Sequence, residues 1–401
     1  MGGKARLCVR CKGYRMLCGL SYCPLLQRAK EIMPVIKVKE EFESPSPPSF
    51  FVGHRNYPRV LAGPLLPLNP DEISLKISAV EELFGKSKEY LLQAFSSTLR
   101  VSREVSVRRD VNSRDAEKFR EISLSIRSVD TEVKIDKVAE SPKLDYFFHP
   151  LGPAFKIRRI DIASNPVIPK HVDEAVEDRM KAEYAVYFLY KKNYYISYIQ
   201  RAFSSGAFGF ERKFVPTRWA ITAVDDIIGR KLIKKVRKYE TTDCVEIYES
   251  SYLGNFIKII LFPRVWSFEM LESWESGSFW ADKSIIWELG DYEGYWGRRD
   301  YASNITGAYY AARLAVLENL EKREKQASAL VLRRITKEYD IPMGVWVVRE
   351  TARDALRKKP LEVNISEISK HVDADALRKS RLLREIRVQK NLEHFFGINS
   401  E

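Results

Sequence analysis

The middle of the chain contains the stretch that decides the predicted fold, Pro216-Thr217-Arg218-Trp219-Ala220-Ile221-Thr222-Ala223-Val224-Asp225-Asp226-Ile227-Ile228. Its apolar and β-branched residues predict a buried β-strand that ends at the adjacent carboxylates Asp225 and Asp226. Apolar residues at four-residue spacing from Ile228 onward predict a helix that follows directly. We therefore expect a strand that leads into a helix, with two aspartates at the junction.

Two interpretations of these aspartates stay open. Carboxylates at the end of a buried strand can hold Mg²⁺ or Mn²⁺ against a phosphate, and three further residues are candidates for such a catalytic site: His54, Asp291 and Glu293. Alternatively, Asp225 and Asp226 cap the helix and interact with its positive end. The loop that contains Asp291 and Glu293 mixes acids, arginines and aromatic residues, so it suits a metal and phosphate site or a salt-bridged loop equally.

The charge of the chain favours a polyanionic partner. Lysine and arginine number 67 against 54 aspartates and glutamates, which gives a formal net charge of +13. Six of these cations lie within residues 230–238, on the helix predicted after Asp226. Our candidates for phosphate or DNA contact are Arg55, Arg218, Arg230, Lys231, Lys234, Lys235, Arg298 and Arg299.

Outward from the middle, the patterns predict an α+β fold with a mixed or antiparallel sheet. Alternating apolar residues predict strands at 99–107 and 122–126, and helical spacing is found in 172–202 and 309–339. Strands are expected mainly before residue 265 and helices after 305. The predicted organisation is a cysteine module (1–39), a Ser/Pro-rich linker (40–50), an α+β body (51–308), a helical region (309–388) and a tail (389–401).

The cysteine module is defined by Cys8, Cys11, Cys18 and Cys23, four of the five cysteines in the chain. Four thiolates at this spacing predict one tetrahedral structural Zn²⁺, with an iron–sulfur cluster as the alternative. In the linker, the run ESPSPPS predicts a segment that neither pairs in a sheet nor continues a helix. His54 and Arg55 follow in a proline-rich loop, as a phosphate or metal contact or as residues of a turn.

The tail carries the pattern QxxLxxFF, formed by Gln389, Leu392, Phe395 and Phe396. A single helical turn would place its three apolar residues on one side, as a plug for a partner's pocket or as a helix end that docks on its own core. The pattern resembles the PCNA-interacting peptide. That resemblance implies binding to the sliding clamp through these four residues.

Four features together resemble the archaeal Nre family of DNA repair proteins: the cysteine cluster, FVGHRNYPRVLAGPLLP, FVPTRWAITAVDD and QKNLEHFF. The resemblance implies a role in DNA repair, a zinc finger at the four cysteines and a clamp-binding tail. Two hypotheses follow for the body: a metal-dependent nuclease or phosphodiesterase, or an adaptor that binds damaged or branched DNA without chemistry. No apolar run reaches the ~20 residues of a membrane span, so we expect a soluble, cytoplasmic, nucleoid-associated protein.

Overall fold

The computed structural model describes residues 3–31, 38–67 and 76–387. These residues fall into two compact units. The N-unit comprises the described residues within 22–228 together with 342–346, and the C-unit comprises those within 1–21, 229–341 and 347–401. Both units combine helices with a mixed β-sheet, so the fold is α+β as predicted.

The helices are α1 (Gly3–Cys11), α2 (Pro24–Lys30), α3 (Lys88–Ser96), α4 (Arg114–Leu124), α5 (Lys170–Glu177), α6 (Ala182–Lys191), α7 (Ile196–Ser204), α8 (Thr217–Val236), α9 (Gly307–Arg323), α10 (Trp346–Arg357) and α11 (Ala374–Lys379). The strands are β1 (Glu41–Ser46), β2 (Phe51–Val52), β3 (Arg59–Gly63), β4 (Leu65–Pro67), β5 (Thr98–Ser106), β6 (Val129–Glu140), β7 (Ala154–Ile162), β8 (Glu240–Thr241), β9 (Val245–Tyr252), β10 (Asn255–Phe262), β11 (Ser267–Trp274), β12 (Ile285–Glu293), β13 (Lys325–Gln326), β14 (Ser328–Ile335) and β15 (Leu361–Val363).

The N-unit is built on a seven-stranded sheet with the order β1-β6-β7-β5-β3-β2, and β4 pairs with β5. The β5–β7 pair is parallel and the other pairs are antiparallel. Alternating residues of β5, among them Leu99, Val101 and Val105, enter a hydrophobic cluster with Phe119 and Ile122 of α4. Burial of this shared apolar face is the main stabilising contribution to the unit.

The C-unit is built on a six-stranded sheet with the order β12-β11-β14-β10-β9-β15. Every residue of β11 is buried, which is the mark of a central strand covered on both faces. One cluster joins Ile260 and Leu330 of the sheet to Leu382 and Ile386 of the helical segment 381–387. The helix α9 is also buried along most of its length.

The N-terminal segment is anchored in the C-unit by a buried lysine. The ammonium of Lys12 donates to Glu272 Oε2 at 3.0 Å and to the carbonyl oxygen of Ile305 at 3.1 Å. Glu272 also pairs with Arg333 at 2.6 Å, and the side chains of all three charged residues are at most 2% exposed. Two cations thus share one carboxylate, which satisfies charges that would be costly to bury alone.

The predicted zinc module is wrong. Cys8 and Cys11 belong to α1, where Cys11 is buried, whereas Cys18 is exposed and Cys23 is the residue before α2. Within 3–31, 38–67 and 76–387, no group of three or more His, Cys, Asp or Glu side chains is arranged to hold a metal ion. The spacing of cysteines limits how far apart they can lie but does not bring them together. The first pair lies in a helix, and the other two cysteines lie outside it.

Several predicted elements also differ from the structure. Residues 217–228 of the predicted strand are helical within α8, and residues 122–124 complete α4. The Ser/Pro-rich residues Glu41–Ser46 form the strand β1, which pairs with β6. The region 309–339 begins as the helix α9 but continues as β14, so strands are not confined to the chain before residue 265.

Candidate nucleic-acid interface

Three segments of the N-unit meet at one place: 50–58, 143–149 and 214–219. The backbone N–H of Val52 donates to Thr217 Oγ1 at 2.9 Å, which joins β2 to the first turn of α8. The rings of Tyr57 and Trp219 lie 5.0 Å apart, and those of Phe51 and Phe148 lie 5.2 Å apart. We use the name His54 site for Tyr57 and Trp219 together with the titratable residues of these segments, His54, Lys143, Asp145 and Arg218.

A buried ion pair fixes the interior of the His54 site. Arg218 pairs with Asp145, and the two side chains are only 10% and 6% exposed. Asp145 also accepts a hydrogen bond from the backbone N–H of Phe147 at 2.9 Å, and the Arg218 guanidinium lies 5.1 Å from the Phe147 ring. The direction of the guanidinium is therefore set by the surrounding structure.

Further cations lie on aromatic faces at the same place. The Lys143 ammonium is 5.2 Å from the ring centre of Phe51 and 6.0 Å from that of Phe148. The guanidinium of Arg100 is 5.7 Å from Phe51 and donates to the carbonyl oxygens of Gly152 and Ser141, both at 3.0 Å. Ring faces and carbonyl oxygens thus contribute to stabilising these two positive charges.

The pKa of His54 reflects its burial and the charges around it. Its pKa is lowered to about 4 because the ring is partly buried and because Arg218, Lys143 and Arg55 are positively charged, while Asp145 acts in the opposite direction. The imidazole is therefore neutral at pH 7. Among the charges that act on this imidazole, three cations outweigh one carboxylate, and such an environment favours a bound anion.

Two aromatic side chains of the His54 site are exposed to solvent. Tyr57 and Trp219 are each 46% exposed, and their rings are tilted by 57° to one another. Tyr57 lies in the exposed loop between β2 and β3, next to Arg55 and Asn56. Cations beside exposed aromatic faces are the arrangement that binds phosphates and bases of a nucleic acid.

Gly344 packs closely against the backbone of the segment that contains Asp145. The N–H of Val345 donates to the carbonyl oxygen of Phe147 at 3.1 Å, which joins residues 342–346 to the segment with Asp145. Gly344 has φ +94°, and a Cβ there would lie 2.8 Å from the carbonyl carbon of Phe148 and 2.9 Å from the nitrogen of His149. Only glycine fits this conformation and this approach.

Sequence reasoning missed the segment 143–149, which supplies Lys143 and Asp145. The available signal was its composition, since an aspartate directly before Tyr146, Phe147 and Phe148 is out of place in an apolar run. A charged residue in such surroundings needs a buried partner.

The paired aspartates lie elsewhere than either interpretation placed them. Asp225 and Asp226 are roughly two turns inside α8, so they stand neither at a strand end nor at a helix start. Asp225 is fully buried and accepts a hydrogen bond from Gln200 Nε2 at 3.2 Å. The prediction of a metal at these residues has no support in this geometry, because the described residues bring no third ligand to them.

The other acidic candidates lie in the C-unit and are engaged in ion pairs. Asp291 contacts Arg298 at 3.2 Å and accepts from the backbone N–H groups of Asn304 and Ile305 at 3.0 and 2.7 Å, although burial raises its pKa. Glu293 pairs with Arg313 at 2.8 Å, and both side chains are almost fully buried. Both acids lie at the end of β12 rather than in a loop, and their ion pairs match the salt-bridged alternative. No set of three metal ligands occurs among the described residues.

The remaining basic candidates are also in the C-unit. Arg230 and Lys234 of α8 and Arg299 are exposed, whereas Lys231 and Lys235 are partly buried. Lys235 pairs with Glu321 at 3.1 Å. Of the predicted phosphate contacts, all of which lie in the described part of the chain, the structure therefore brings Arg55 and Arg218 to His54 and leaves the others in the C-unit. The tail residues Gln389, Leu392, Phe395 and Phe396 lie outside the described residues.

Comparison with protein families identifies the chain. Residues 17–281 match the model described as "Archaeal Nre, N-terminal", and residues 293–395 match "Archaeal Nre, C-terminal". These matches cover most of the sequence, and the chain belongs to the archaeal Nre family. The two long sequence motifs that carried the resemblance, from Phe51 and from Phe214, are those that meet at the His54 site.

The chain is similar to curated proteins of the same family. It is 40% identical to "DNA repair protein NreA" of Archaeoglobus fulgidus over 88% of this chain and 89% of that protein. It is 34% identical to "DNA repair protein NreB" of the same organism over 97% and 99%, and 38% identical to "DNA repair protein NreA" of Haloferax volcanii over 77% and 76%. No solved structure matches the chain. None of the described helices has the length and apolar character needed to cross a bilayer.

Proposed function

We propose that this protein acts in DNA repair and binds DNA through the His54 site. The observation that carries the proposal is the excess of positive charge around His54, next to the exposed rings of Tyr57 and Trp219. The names of the related proteins support the repair role. The net charge of +13 supports a polyanionic partner.

In this proposal a DNA phosphate binds among Arg55, Lys143 and Arg218, and the neutral imidazole of His54 donates one hydrogen bond to it. The ion pair with Asp145 keeps Arg218 in place before DNA arrives, so little side-chain entropy is lost on binding. Tyr57 and Trp219 then stack on a neighbouring base. Stacking of this kind contributes roughly 1–3 kcal/mol per base.

Binding, rather than cleavage, is the function that the geometry supports. Three of the acidic residues expected to hold Mg²⁺ or Mn²⁺ are engaged in other contacts: Asp225 with Gln200, Asp291 with Arg298 and backbone N–H groups, and Glu293 with Arg313. We therefore propose a DNA-binding adaptor and assign no catalytic residue.

We further propose that the tail recruits the protein to the PCNA sliding clamp through Gln389, Leu392, Phe395 and Phe396. The sequence pattern supports this assignment. Replacement of Phe395 and Phe396 by alanine should abolish clamp binding in a pull-down and leave the melting temperature unchanged. Retained clamp binding would refute the assignment.

The DNA contact is tested by the salt dependence of binding. Lys143→Gln should weaken binding to DNA of any sequence and should lower the slope of log K against log salt by about 1, as expected for one lost phosphate contact. Arg159→Gln is the matched control. It removes the same charge from an exposed position of the same unit, where Arg159 pairs with Asp161. An equal loss for both variants would contradict a specific role of the His54 site.

A second measurement follows His54 itself. Titration of the five histidines by NMR, with His54→Gln for assignment, should show the His54 pKa rise from about 4 when DNA is added. The rise follows from the added negative charge, which favours the imidazolium. An unchanged pKa in a complex that forms would place the DNA elsewhere.

A further inference from the structure

The C-unit presents a tryptophan on a tight turn after β12. The N–H of Gly297 donates to the carbonyl oxygen of Gly294 at 2.9 Å, and Gly297 takes the φ of +77° that such a turn requires. Trp296 lies at the tip of the turn and is 81% exposed. An indole so exposed has no role in the core of its own unit.

Arg237 holds this turn against the end of α8. Its guanidinium carbon lies 4.0 Å from the ring centre of Tyr295 and 4.2 Å from that of Trp296. Within the part of the chain that the structure describes, its buried Nε has no hydrogen-bond partner. The cation is thus held by ring faces, and in return it keeps the Trp296 ring in one place.

Further exposed cations are close in sequence to Arg237 and Trp296. Arg230 and Lys234 are exposed and lie one turn apart on α8, Lys234 is three residues from Arg237, and Lys238 is exposed in the turn that follows the helix. On the other side, Arg299 is exposed three residues after Trp296. We call Trp296, Arg237, Lys234, Lys238 and Arg299 the Trp296 surface.

We propose that the Trp296 surface binds single-stranded DNA, with the indole stacked on an unpaired base and the lysines and Arg299 near the backbone phosphates. The inference rests on the proposed function and extends it to a second contact in the other unit. Charge favours this ligand, because Arg237 lies on the indole and three further exposed cations are close to this pair in sequence, which a protein pocket for an aromatic anchor does not require. A base in a duplex has both faces covered by its neighbours, so a single exposed ring selects an unpaired one.

The experiment compares binding to oligo(dT) and to a mixed-sequence duplex of equal length by fluorescence anisotropy. Trp296→Ala should weaken binding to the single strand about tenfold and change duplex binding less than about twofold, in line with the loss of one stacked base. Trp296→Tyr should restore most of the affinity. Ile286→Ala is the matched control, since Ile286 is an exposed apolar residue of β12 outside the Trp296 surface.

The outcomes separate this inference from the proposed function. If Trp296→Ala leaves both DNA affinities unchanged while Lys143→Gln lowers them, DNA binding at the His54 site stands and the Trp296 inference fails, which leaves a protein partner for the indole. Equal losses on single strand and duplex would also overturn the preference for an unpaired base. If the unaltered protein binds neither DNA, both proposals fail.

Discussion

The His54 site and the Trp296 surface combine the same residue types but hold them differently. In the His54 site the key cation, Arg218, is buried and paired with Asp145, and the segment behind it is held by Gly344. In the Trp296 surface, Arg237 lies on two rings of a turn, and Trp296 contributes little buried area. A change in the first therefore affects both stability and binding, whereas a change in the second affects binding alone.

The largest effect is expected from Gly344→Ala. The new Cβ would overlap the backbone of Phe148 and His149 and would also strain a positive φ, so the free energy of unfolding should fall by about 4 kcal/mol or more. Gly277→Ala is the control. Its φ of +86° is similar, but the nearest atom is 3.8 Å away, so only about 1–2 kcal/mol should be lost. Equal losses in denaturant unfolding would show that space behind the His54 site is not limiting.

Asp145→Ala should have the next largest effect. The free energy of unfolding should fall by about 3 kcal/mol, because the variant leaves the Arg218 guanidinium buried without this carboxylate. The double variant Asp145→Ala, Arg218→Met should regain much of this stability while DNA affinity stays low. Chemical denaturation and anisotropy on the same samples check both parts. A double variant that is no more stable than the single one would contradict the role of the buried charge.

Acid should weaken the N-unit through His149, a buried histidine stacked 4.1 Å from Phe95. Burial lowers the pKa of His149 to about 4, from an ordinary value of 6.5. Above pH 6.5 both folded and unfolded forms are neutral; as the pH falls from 6.5 to 4 the unfolded form gains the proton first, so up to about 3 kcal/mol of stability is lost. His149→Phe should reduce the pH dependence of unfolding over this range without abolishing it, because the pKa of His54 is lowered in the same way, and an unchanged slope would contradict the assignment.

The smallest effect on stability is expected from Trp296→Ala. Because the side chain is 81% exposed, the free energy of unfolding should change by less than about 0.5 kcal/mol. A thermal melt beside the binding assay checks this. A large loss would show that the Trp296 surface contributes to the fold, and the contrast with the His54 site would no longer hold.

Elements with a clear apolar period could be predicted from the sequence. Alternation at Leu99, Val101 and Val105 indicated β5, and helical spacing indicated α9. The wrong predictions of secondary structure concern segments in which the apolar periodicity and the propensity of the residues indicate different elements. Ile221, Thr222 and Val224 favour a strand by residue type, yet Val224 and Ile228 are buried four residues apart, as a helix requires. β14 is buried on almost every residue, so its sequence shows no alternation to distinguish it from a helix.

The candidate site was predictable only in part. The sequence predicts His54 and Arg55 as a phosphate or metal contact or as residues of a turn, and Arg218 as a phosphate contact, because a polar cluster among prolines and an arginine in an apolar stretch are visible in it. That these residues meet at one site could not be predicted, since the partner of Arg218 is Asp145, 73 residues earlier in the chain. The zinc prediction was wrong for a related reason. The four cysteines are close in sequence, but they lie in different local structures.

The buried ammonium of Lys12 has a consequence for synthesis on the ribosome. Its partners Glu272 and Ile305 follow 260 and 293 residues later. At translation rates of about 5–20 residues per second, roughly 13–50 seconds pass before Glu272 has even been made. Lys12 cannot form these two contacts during that time, so there is an interval in which chaperones or proteases can reach the nascent chain before the C-unit is complete.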